Sequence, residues 1–487
     1  MMKKLSLLTL ALVLTAPALL FSSAGAEAAQ ELPTIQWATP PGAGYPYDAE
    51  QEQAVYDEFN EMFSQEIGAK IQVRTMSTGE GDPYHQKLTM LIAAGEPLDL
   101  MTVKSLFMSG VQMSLDGNHM PLEELLPKFA PKTWAAKKAD WDPLTMDDGH
   151  IYLVPTDPPG MRRIFAEVLK KDVERYGWDL SKVRSYYDLK PFCEDIKANE
   201  PDRYPFGRLL LTNFYNHAGR LRIWQILYSR YIDPQGEVFN LYESEEWMDV
   251  LKDNREWYLN GYLPQDIAAM SGSEKKTLYN QGKIAMSFQW GWDGVIEFDS
   301  PAGTRIKVPI SDNVRKVRPR WGNSYAVSAN SDLGSECVKL MELMQTNADA
   351  VNLLAYGIEG RHYESEEGIW WIPNKESGYY PANAGIFGNP MVALQVEGAP
   401  KDRWDIYRRD LEKAVLPTLY AYTFNAEPVK TEMSNVQAVI QEYENPIRCG
   451  AVDPEEYVAK FNAELEKAGI DDLIAEVQVQ VDEHLGK

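Results

Sequence analysis

The chain has 487 residues, of which 44% are hydrophobic and 11% aromatic, enough to build packed cores in two domains. Its 72 acidic and 48 basic residues leave a net charge of −24, which argues against nucleic acid or an anionic membrane as the main partner. Cys193, Cys337 and Cys449 are an odd number of widely spaced thiols, a pattern that predicts neither a disulfide framework nor a zinc site.

The amino terminus has the pattern of a secretory signal peptide. Two lysines precede an apolar run over residues 5–21, and small residues of the A-x-A type follow over residues 24–28. The run is interrupted by Pro17 and is short for a membrane span, which needs about 20 apolar residues. We therefore expect cleavage after residue 28, export to the periplasm or the extracellular space, and no lipid anchor, because no cysteine lies near the cleavage region.

The first part of the mature chain alternates between two hydrophobic patterns. Strands are predicted over residues 32–38, 71–76 and 98–102, and helices over residues 49–67 and 83–93. This alternation is typical of a parallel α/β sheet. Open sheets of this kind bind ligands beyond the carboxyl ends of their strands. The loops after the predicted strands are therefore expected to line a crevice.

Three tyrosines lie in or beside those loops. Tyr45 and Tyr47 follow the first strand, and Tyr84 lies just after the loop over residues 79–82. Each has two interpretations, contact with a ligand or packing within the loop. All three are kept as candidates for ligand contact.

The middle of the chain begins with a turn at Asp147 and Asp148, followed by a short strand over residues 151–154 that Pro155 ends. The acidic pair lacks the D-x-[DN]-x-[DN]-G spacing of an EF-hand calcium loop. A strand is predicted over residues 206–211. Helices are predicted over residues 162–176, 187–197, 220–231 and 245–260. Trp224 in the third helix is a core residue or, alternatively, a ligand contact.

The stretch over residues 279–293 changes character in the middle. A polar helix is closed by Gly282, residues 283–288 form an apolar strand, and Trp290, Trp292 and Asp293 follow at its carboxyl end. Two indoles and a carboxylate at that position suit a flat, hydroxylated and neutral ligand. The alternative is that both indoles belong to the core, as large aromatic side chains usually do.

The remainder of the chain is mainly helical. A hairpin is predicted over residues 300–317, and its basic residues form a solvated face or, alternatively, a nucleic-acid patch. A strand over residues 321–330 carries Trp321 and Tyr325 on one face. Of the adjacent Trp370 and Trp371, at most one faces a ligand. Helices are predicted over residues 333–345, 404–414, 433–444 and 470–481.

Several of these segments resemble the family-1 extracellular solute-binding proteins of ABC importers. The run Gly149-His-Ile-Tyr-Leu-Val-Pro155 is similar to the family's Gly-Lys-Ile-Tyr-x-x-Pro, and the helix, strand and aromatic loop over residues 279–293 are similar to its second half. Residues 356–363, Tyr-Gly-Ile-Glu-Gly-Arg-His-Tyr, resemble a segment of large LplA-like members, with arginine in place of lysine at Arg361. Resemblance extends from about residue 36 to residue 480, including a C-terminal domain of unassigned function.

The resemblance implies a two-lobed, periplasmic-binding-protein-like α/β fold of type II with an interlobe crevice and C-terminal helices. After a signal peptide over residues 1–28, the first lobe would comprise residues 29–154 and 325–390, and the second residues 155–324 and 391–487. The chain would cross between the lobes near Pro155, near Tyr325 and within residues 385–391. The resemblance also implies that the lobes close on a ligand and present it to the permease subunits of an ABC transporter, whose separate ATPase subunits bind the nucleotide.

An oligosaccharide is the expected ligand, because aromatic rings stack on the apolar face of a pyranose and polar side chains satisfy its hydroxyls. The chain has 13 tryptophans and 26 tyrosines. The candidate ligand contacts are Trp290, Trp292, Asp293, Trp321, Tyr325, Tyr45, Tyr47, Tyr84, Trp224, Arg361 and Trp371. A peptide is the alternative ligand, since peptides also bind in aromatic clefts.

No catalytic constellation stands out in the sequence. A GxSxG elbow, a GxGxxG or P-loop and an HExxH motif are all absent, and the six histidines are scattered. We therefore expect a monomeric binding protein without enzymatic activity, cofactor or metal site. The alternative is a carbohydrate-active enzyme of the glycoside hydrolase type, which needs two carboxylates at a separation that sequence does not show.

Overall fold

A computed structural model describes residues 31–42, 45–76, 82–104, 108–146, 148–156, 161–207, 221–222, 230–232, 236–291, 296–298, 300–310, 315–316, 322–381, 383–414 and 424–487. The strands are β1 Thr34–Thr39, β2 Lys70–Thr75, β3 Leu100–Lys104, β4 Val154–Pro155, β5 Met161–Leu169, β6 Tyr204–Phe206, β7 Leu221–Arg222, β8 Arg230–Ile232, β9 Val238–Asn240, β10 Ile284–Gly291, β11 Ile296–Phe298, β12 Arg305–Pro309, β13 Arg315–Lys316, β14 Asn323–Val327, β15 Tyr363–Glu366, β16 Trp370–Pro373 and β17 Gln395–Val396. The helices are α1 Ala49–Ile67, α2 Asp82–Ala93, α3 Met108–Leu115, α4 Leu126–Phe129, α5 Pro131–Ala136, α6 Trp141–Leu144, α7 Lys170–Tyr176, α8 Lys190–Asn199, α9 Glu245–Leu259, α10 Gly272–Asn280, α11 Gly334–Thr346, α12 Ala348–Tyr356, α13 Ala384–Phe387, α14 Arg403–Lys413, α15 Lys430–Arg448, α16 Pro454–Lys467 and α17 Ile470–Leu485.

The first lobe is built on a sheet with the strand order β2-β1-β3-β14-β4. Strands β1, β2 and β3 are parallel, and β14 runs antiparallel to both of its neighbours. One apolar cluster packs α1, α11 and α12 on one face, and a second packs α2 and α3 on the other. The predicted parallel α/β sheet is thus confirmed, with one returning strand of opposite direction.

Helix α1 shows why several predicted boundaries are accurate. The Asp48 side chain accepts hydrogen bonds from the Glu50 and Gln51 amides, and Gly68 ends the helix with a left-handed φ of +81°. Between these caps, Val55, Phe59 and Phe63 recur at helical spacing and are buried against the sheet. Helix α9 is similarly accurate, and the Ser244 side chain caps it by accepting from the Trp247 amide.

The second lobe is built on a mixed sheet with the order β11-β12-β5-β10-β6, and β13 also pairs with β5. Strand β5 replaces the first half of the helix predicted over residues 162–176. Residues 164–169 are all buried between β12 and β10. The run is apolar except for Glu167, and a short, mainly apolar run fits a buried strand as well as a helix, so the prediction was wrong. The helix predicted over residues 220–231 was also wrong, because its described ends are the strands β7 and β8.

The carboxyl-terminal helices α15 to α17 complete the second lobe. Their buried residues, including Val436, Phe461 and Leu473, share one apolar cluster with Trp247 and Leu251 of α9. Gly450, after α15, lies so close to the Asn254 carbonyl oxygen that an added Cβ would meet it at 2.4 Å. The C-terminal helices therefore pack on α9 in a cluster of their own, whereas the strands β5, β6, β10 and β12 share a second cluster that Trp257 of α9 and Cys449 also join.

The last boundary between the lobes, predicted at residue 391, lies later in the chain. Strand β17 pairs with β16, Ala393 is buried in the first-lobe core, and the Leu394 amide donates to Asn352 on α12. Phe424, in contrast, packs in the second-lobe cluster. The last crossing therefore comes after residue 396, because strand pairing holds the preceding segment to the first lobe. Among the described helices, none combines the length and apolar character of a membrane span.

Candidate functional site

The carboxyl ends of β1, β3 and β4 and the start of β14 together form the edge of the first-lobe sheet that faces the second lobe. In the register of the strands, Asn323 at the start of β14 lies opposite Lys104 at the end of β3, and Ser324 lies opposite Pro155 at the end of β4. The carboxyl end of β1 at Thr39 lies on the same edge. The chain leaves this edge after Pro155 to enter the second sheet at β5, and it returns here at β14.

The two crossing segments are joined by hydrogen bonds at this edge. The Thr156 hydroxyl lies 2.5 Å from the Gly385 carbonyl oxygen and 3.2 Å from that of Asn323. The Asn323 amide group also donates to Gly385, at 2.9 Å, and the buried Gln345 side chain donates to the carbonyls of Pro155 and Thr156 at 3.5 and 3.4 Å. No local sequence pattern distinguishes these polar residues, so they were not among the predicted contacts.

The second lobe presents the carboxyl end of β10 to the same junction. Strand β5 begins at Met161, soon after the first crossing, and β10 runs antiparallel to it with Trp290 opposite Ile164 and Gly291 opposite Arg163. Neighbouring strands lie about 4.8 Å apart, so the end of β10 adjoins the start of β5. The backbone that leads into the predicted aromatic loop is therefore next to the interlobe crossing.

Five of the predicted contacts are tryptophans or an aspartate in this loop or in other parts of the second-lobe half of the chain. The backbone of Trp290 belongs to β10. Trp292, Asp293, Trp321 and Trp224 lie outside the described residues. As ligand contacts, these five residues stay predictions from the sequence.

Tyr84 and Tyr325 were predicted as ligand contacts, and the structure contradicts both. Both are fully buried. The Tyr84 hydroxyl donates to the backbone carbonyl of Thr102 on β3, at 2.9 Å. The Tyr325 hydroxyl donates to the backbone carbonyl of Phe387, at 2.5 Å. Burial raises the pKa of the Tyr84 phenol well above its usual value. These hydroxyls satisfy backbone acceptors inside the lobe, so they are not available to a ligand.

Trp371 was also predicted wrongly. It is 4% exposed and stacks on Tyr356 with 4.4 Å between ring centroids. Its neighbour Trp370 points to the opposite face of the small sheet β15-β16-β17, where its indole N–H donates to the Ala399 carbonyl at 2.7 Å. Both indoles therefore have structural roles in the first lobe.

Tyr45 and Tyr47 form an aromatic pair on the loop that follows β1. Their rings meet edge to face at 5.4 Å, and Tyr47 also contacts the buried Tyr379 at 5.4 Å. The Gly42 amide donates to the Tyr47 hydroxyl at 2.8 Å, and burial raises the pKa of that phenol to about 12. Tyr47 thus supports the loop. Both rings are half-buried, and ligand contact by Tyr45 and Tyr47 stays a prediction.

Arg361 is exposed on the turn between α12 and β15. The next residue, His362, is buried and hydrogen-bonds to Gln51 in the first turn of α1, at 3.1 Å. This contact holds the turn near the crevice end of α1. Ligand contact by Arg361 stays a prediction.

A buried polar group supports β10 from behind and was not found from the sequence. Glu167 on β5 accepts from the Tyr279 hydroxyl at 2.9 Å and from Ser287 on β10 at 2.7 Å. The Arg305 guanidinium lies 3.6 Å from the Tyr279 ring centroid and donates to the Ala285 carbonyl at 3.0 Å. Burial raises the pKa of Tyr279 to about 12 and lowers that of Arg305. These contacts fix the position of the strand that leads to the predicted site.

Chemically, the junction offers aromatic and hydrogen-bonding groups. Within the described part of the chain, no group of three His, Cys, Asp or Glu side chains is arranged to hold a metal ion. The arrangement is suited to binding a ligand between two lobes that the crossing segments connect.

Comparison with known proteins gives the family. Residues 39–350 match the family described as bacterial extracellular solute-binding protein, and residues 418–486 match a domain of unknown function, DUF3502. A carbohydrate ABC transporter substrate-binding protein of Streptococcus pneumoniae serotype 4 is 25% identical over 445 residues, covering 88% of this chain and 87% of the relative.

Solved structures agree in fold. The N-glycan transport solute-binding protein NgtS from Streptococcus pneumoniae superposes with a TM-score of 0.78 at 22% identity, covering 93% of this chain and 99% of that one. An HMO-binding, ABC-transporter-associated solute-binding protein from Bifidobacterium longum infantis has a TM-score of 0.59 at 15% identity, with 92% and 98% covered. The predicted two-lobed solute-binding fold is confirmed. The chain belongs to the bacterial extracellular solute-binding protein family.

Proposed function

We propose that this protein captures a neutral oligosaccharide between its two lobes and delivers it to the permease of an ABC importer at the outer side of the membrane. The observation that carries the proposal is the match of 88% of the chain to a relative named as a carbohydrate ABC transporter substrate-binding protein. NgtS, which has the same fold, was crystallised with Man1GlcNAc and with Man5GlcNAc.

The chemistry at the lobe junction supports the same ligand class. The end of β10 and the residues after it supply Trp290, Trp292 and Asp293, and Tyr45 supplies a half-buried phenol from the other lobe. Aromatic faces and hydroxyl-satisfying polar groups are the requirements of a carbohydrate site. A ligand that contacts both lobes favours the closed form, since both sets of contacts exist only there.

Export is part of the proposal. The amino-terminal pattern of a signal peptide and the family's extracellular role support a location in the periplasm or outside the cell, with the permease subunits as partners. In this arrangement the protein performs no chemistry on its ligand.

The test is a panel of neutral glycans and peptides, with binding measured by thermal shift and by tryptophan fluorescence on the mature chain. One class of oligosaccharide should raise the melting temperature, because it binds the folded state alone. Trp290→Ala, Trp292→Ala and Asp293→Asn should remove the shift. Trp370→Ala is the matched control, an indole of the outer sheet whose loss should leave affinity unchanged. A shift with peptides alone, or cleavage products from the glycans, would refute the proposal.

A further inference from the structure

A groove of about 670 Å³ lies on the flank of the first lobe. It runs between the second half of α1, the start of α12 and the small sheet β15-β16-β17. Its lining includes Glu58, Asp349, Glu359, Tyr363, Gln395 and Trp404.

The groove is separate from the interlobe crevice. The amino-terminal cap of α1, Asp48, lies at the crevice edge of the first lobe. Glu58 and Met62, further along the same helix, line the groove. Ten to fourteen residues of helix correspond to about 15–21 Å. A ligand held by the loops at the crevice edge therefore does not fill this groove.

Negative charge dominates the groove. Glu58 and Asp349 have no ion-pair partner among the described residues, and the Glu359 carboxylate contacts only the Ser365 hydroxyl there. Lys401 is the one cation among the described lining residues and is paired with Glu367. The Arg403 guanidinium lies beside the groove, over one face of the Trp404 ring at 5.0 Å from its centroid. Burial, and after it the nearby carboxylates of Glu359 and Asp349, raise the pKa of the Tyr363 phenol to about 12.

A buried amide in the groove lacks a partner. Gln395 is 8% exposed and lines the groove, and its Oε1 atom finds no hydrogen-bond donor in the described structure. A buried acceptor without a donor costs about 1–3 kcal/mol. An occupant that carries an N–H group would remove this cost.

Apolar surface lies beside these acceptors. The Trp404 side chain is half-buried in the lining, and Met62 is 50% exposed at the groove. Aromatic rings attract cations through their faces, and methionine adapts to alkyl chains. The groove thus combines an apolar wall with acceptors that carry net negative charge.

We propose that this groove binds an organic cation, an ammonium or guanidinium group on an apolar stem. The stem would lie against Trp404 and Met62, and the cationic head would donate to Asp349, Glu359 and the Gln395 amide. A neutral sugar fits less well, because its hydroxyls leave the net charge of the carboxylates uncompensated. An anion is disfavoured by the same charges.

The same chemistry has two sources, a free amine and the lysine or arginine side chain of another protein. The probes are 1,5-diaminopentane for the free amine and the tripeptide Gly-Arg-Gly with blocked ends for the side chain. Titration calorimetry on the mature protein should detect binding of at least one probe, and the binding should weaken as salt rises. Binding of the peptide alone would assign the source to a partner protein. No binding of either probe, or equal binding of neutral 1,5-pentanediol, would overturn the proposal.

Substitutions of the groove carboxylates test whether the cation binds in the groove. Asp349→Asn combined with Glu359→Gln should weaken binding of the cation by about tenfold or more, the loss expected from one charged hydrogen bond. Glu364→Gln is the matched control, an exposed carboxylate on β15 outside the groove. Equal affinity in the double variant and the control would refute the assignment. Trp292→Ala should leave cation binding unchanged, so failure of this proposal is distinguishable from failure of the proposed carbohydrate function.

Discussion

The Thr156 hydroxyl donates a 2.5 Å hydrogen bond to the carbonyl oxygen of Gly385, which lies 229 residues further along the chain. The Asn323 side chain donates to the same carbonyl. One acceptor in the first lobe therefore anchors both the outgoing segment and the returning one. With these ends held, relative motion of the lobes has to be taken up by backbone on the second-lobe side of this contact.

Thr156→Val should test this anchor. The substitution keeps the shape of a fully buried side chain but removes the donor, so we expect a loss of about 1–3 kcal/mol in the free energy of unfolding, measured by urea denaturation. Thr346→Val is the control, because the exposed Thr346 hydroxyl bonds only the carbonyl one turn earlier in α11. Equal losses in the two variants would show that the contact with Gly385 contributes nothing specific.

Tyr325→Phe should separate a structural role from ligand binding. Removal of the hydroxyl leaves the Phe387 carbonyl without this donor, and we expect a loss of about 1 kcal/mol in the free energy of unfolding. Affinity for the oligosaccharide should not change, since the side chain is fully buried. A tenfold weaker affinity with unchanged stability would mean that Tyr325 contacts the ligand after all.

His362 should make stability depend on pH. Its Nδ1 accepts from the Ile358 amide at 2.8 Å, so the bonded ring is neutral, with Nε2 donating to Gln51. Burial first, and the Arg361 charge second, lower the pKa of His362 to about 4 from its usual value of 6.5. Between these two values the unfolded chain binds more protons, so stability is complete above about pH 6.5 and falls as the pH approaches 4.

The measurement is the urea midpoint between pH 7 and pH 4.5, compared with His362→Gln. Other groups that titrate in this range, including the buried His119, affect both proteins equally. The variant should lose less stability than the native protein on acidification. Parallel pH profiles would exclude His362 as the source.

Gly450→Ala should test the close packing of the C-terminal region on α9. Gly450 has a φ of +76°, and its added Cβ would meet the Asn254 carbonyl oxygen at 2.4 Å. Gly360 has a φ of +78° but no atom within 4 Å of its added Cβ. Both substitutions carry the strain of a positive φ. The difference between their free energies of unfolding therefore measures the crowding of the added Cβ against α9.

We expect Gly450→Ala to be less stable than Gly360→Ala by about 1–3 kcal/mol, which calorimetry or urea denaturation would detect. Unfolding of the second lobe and of α15 to α17 should also remain one transition, since α9 packs in both the cluster of the C-terminal helices and the cluster of the second sheet. Separate transitions, or equal effects of the two substitutions, would indicate an independent C-terminal domain.

Sequence alone determined the features that depend on neighbouring residues. The cap at Asp48, the glycine at Gly68 and the buried positions between them were sufficient to define α1, and the β-α alternation was sufficient for the sheet of the first lobe. The strand β10 was also predicted locally, although it continues through Trp290 to Gly291, beyond the predicted end at residue 288.

Tertiary structure decided what depends on distant partners. Tyr84, Tyr325 and Trp371 have the same local signature as crevice residues, and only the position of a backbone carbonyl or of the Tyr356 ring assigns them to the core. In the same way, β5 became a strand because β10 and β12 supply its hydrogen bonds, and β17 joined the first lobe through β16. The physical reason is that burial and backbone pairing are set by residues far apart in the chain, whereas hydrophobic periodicity and caps act within a few residues.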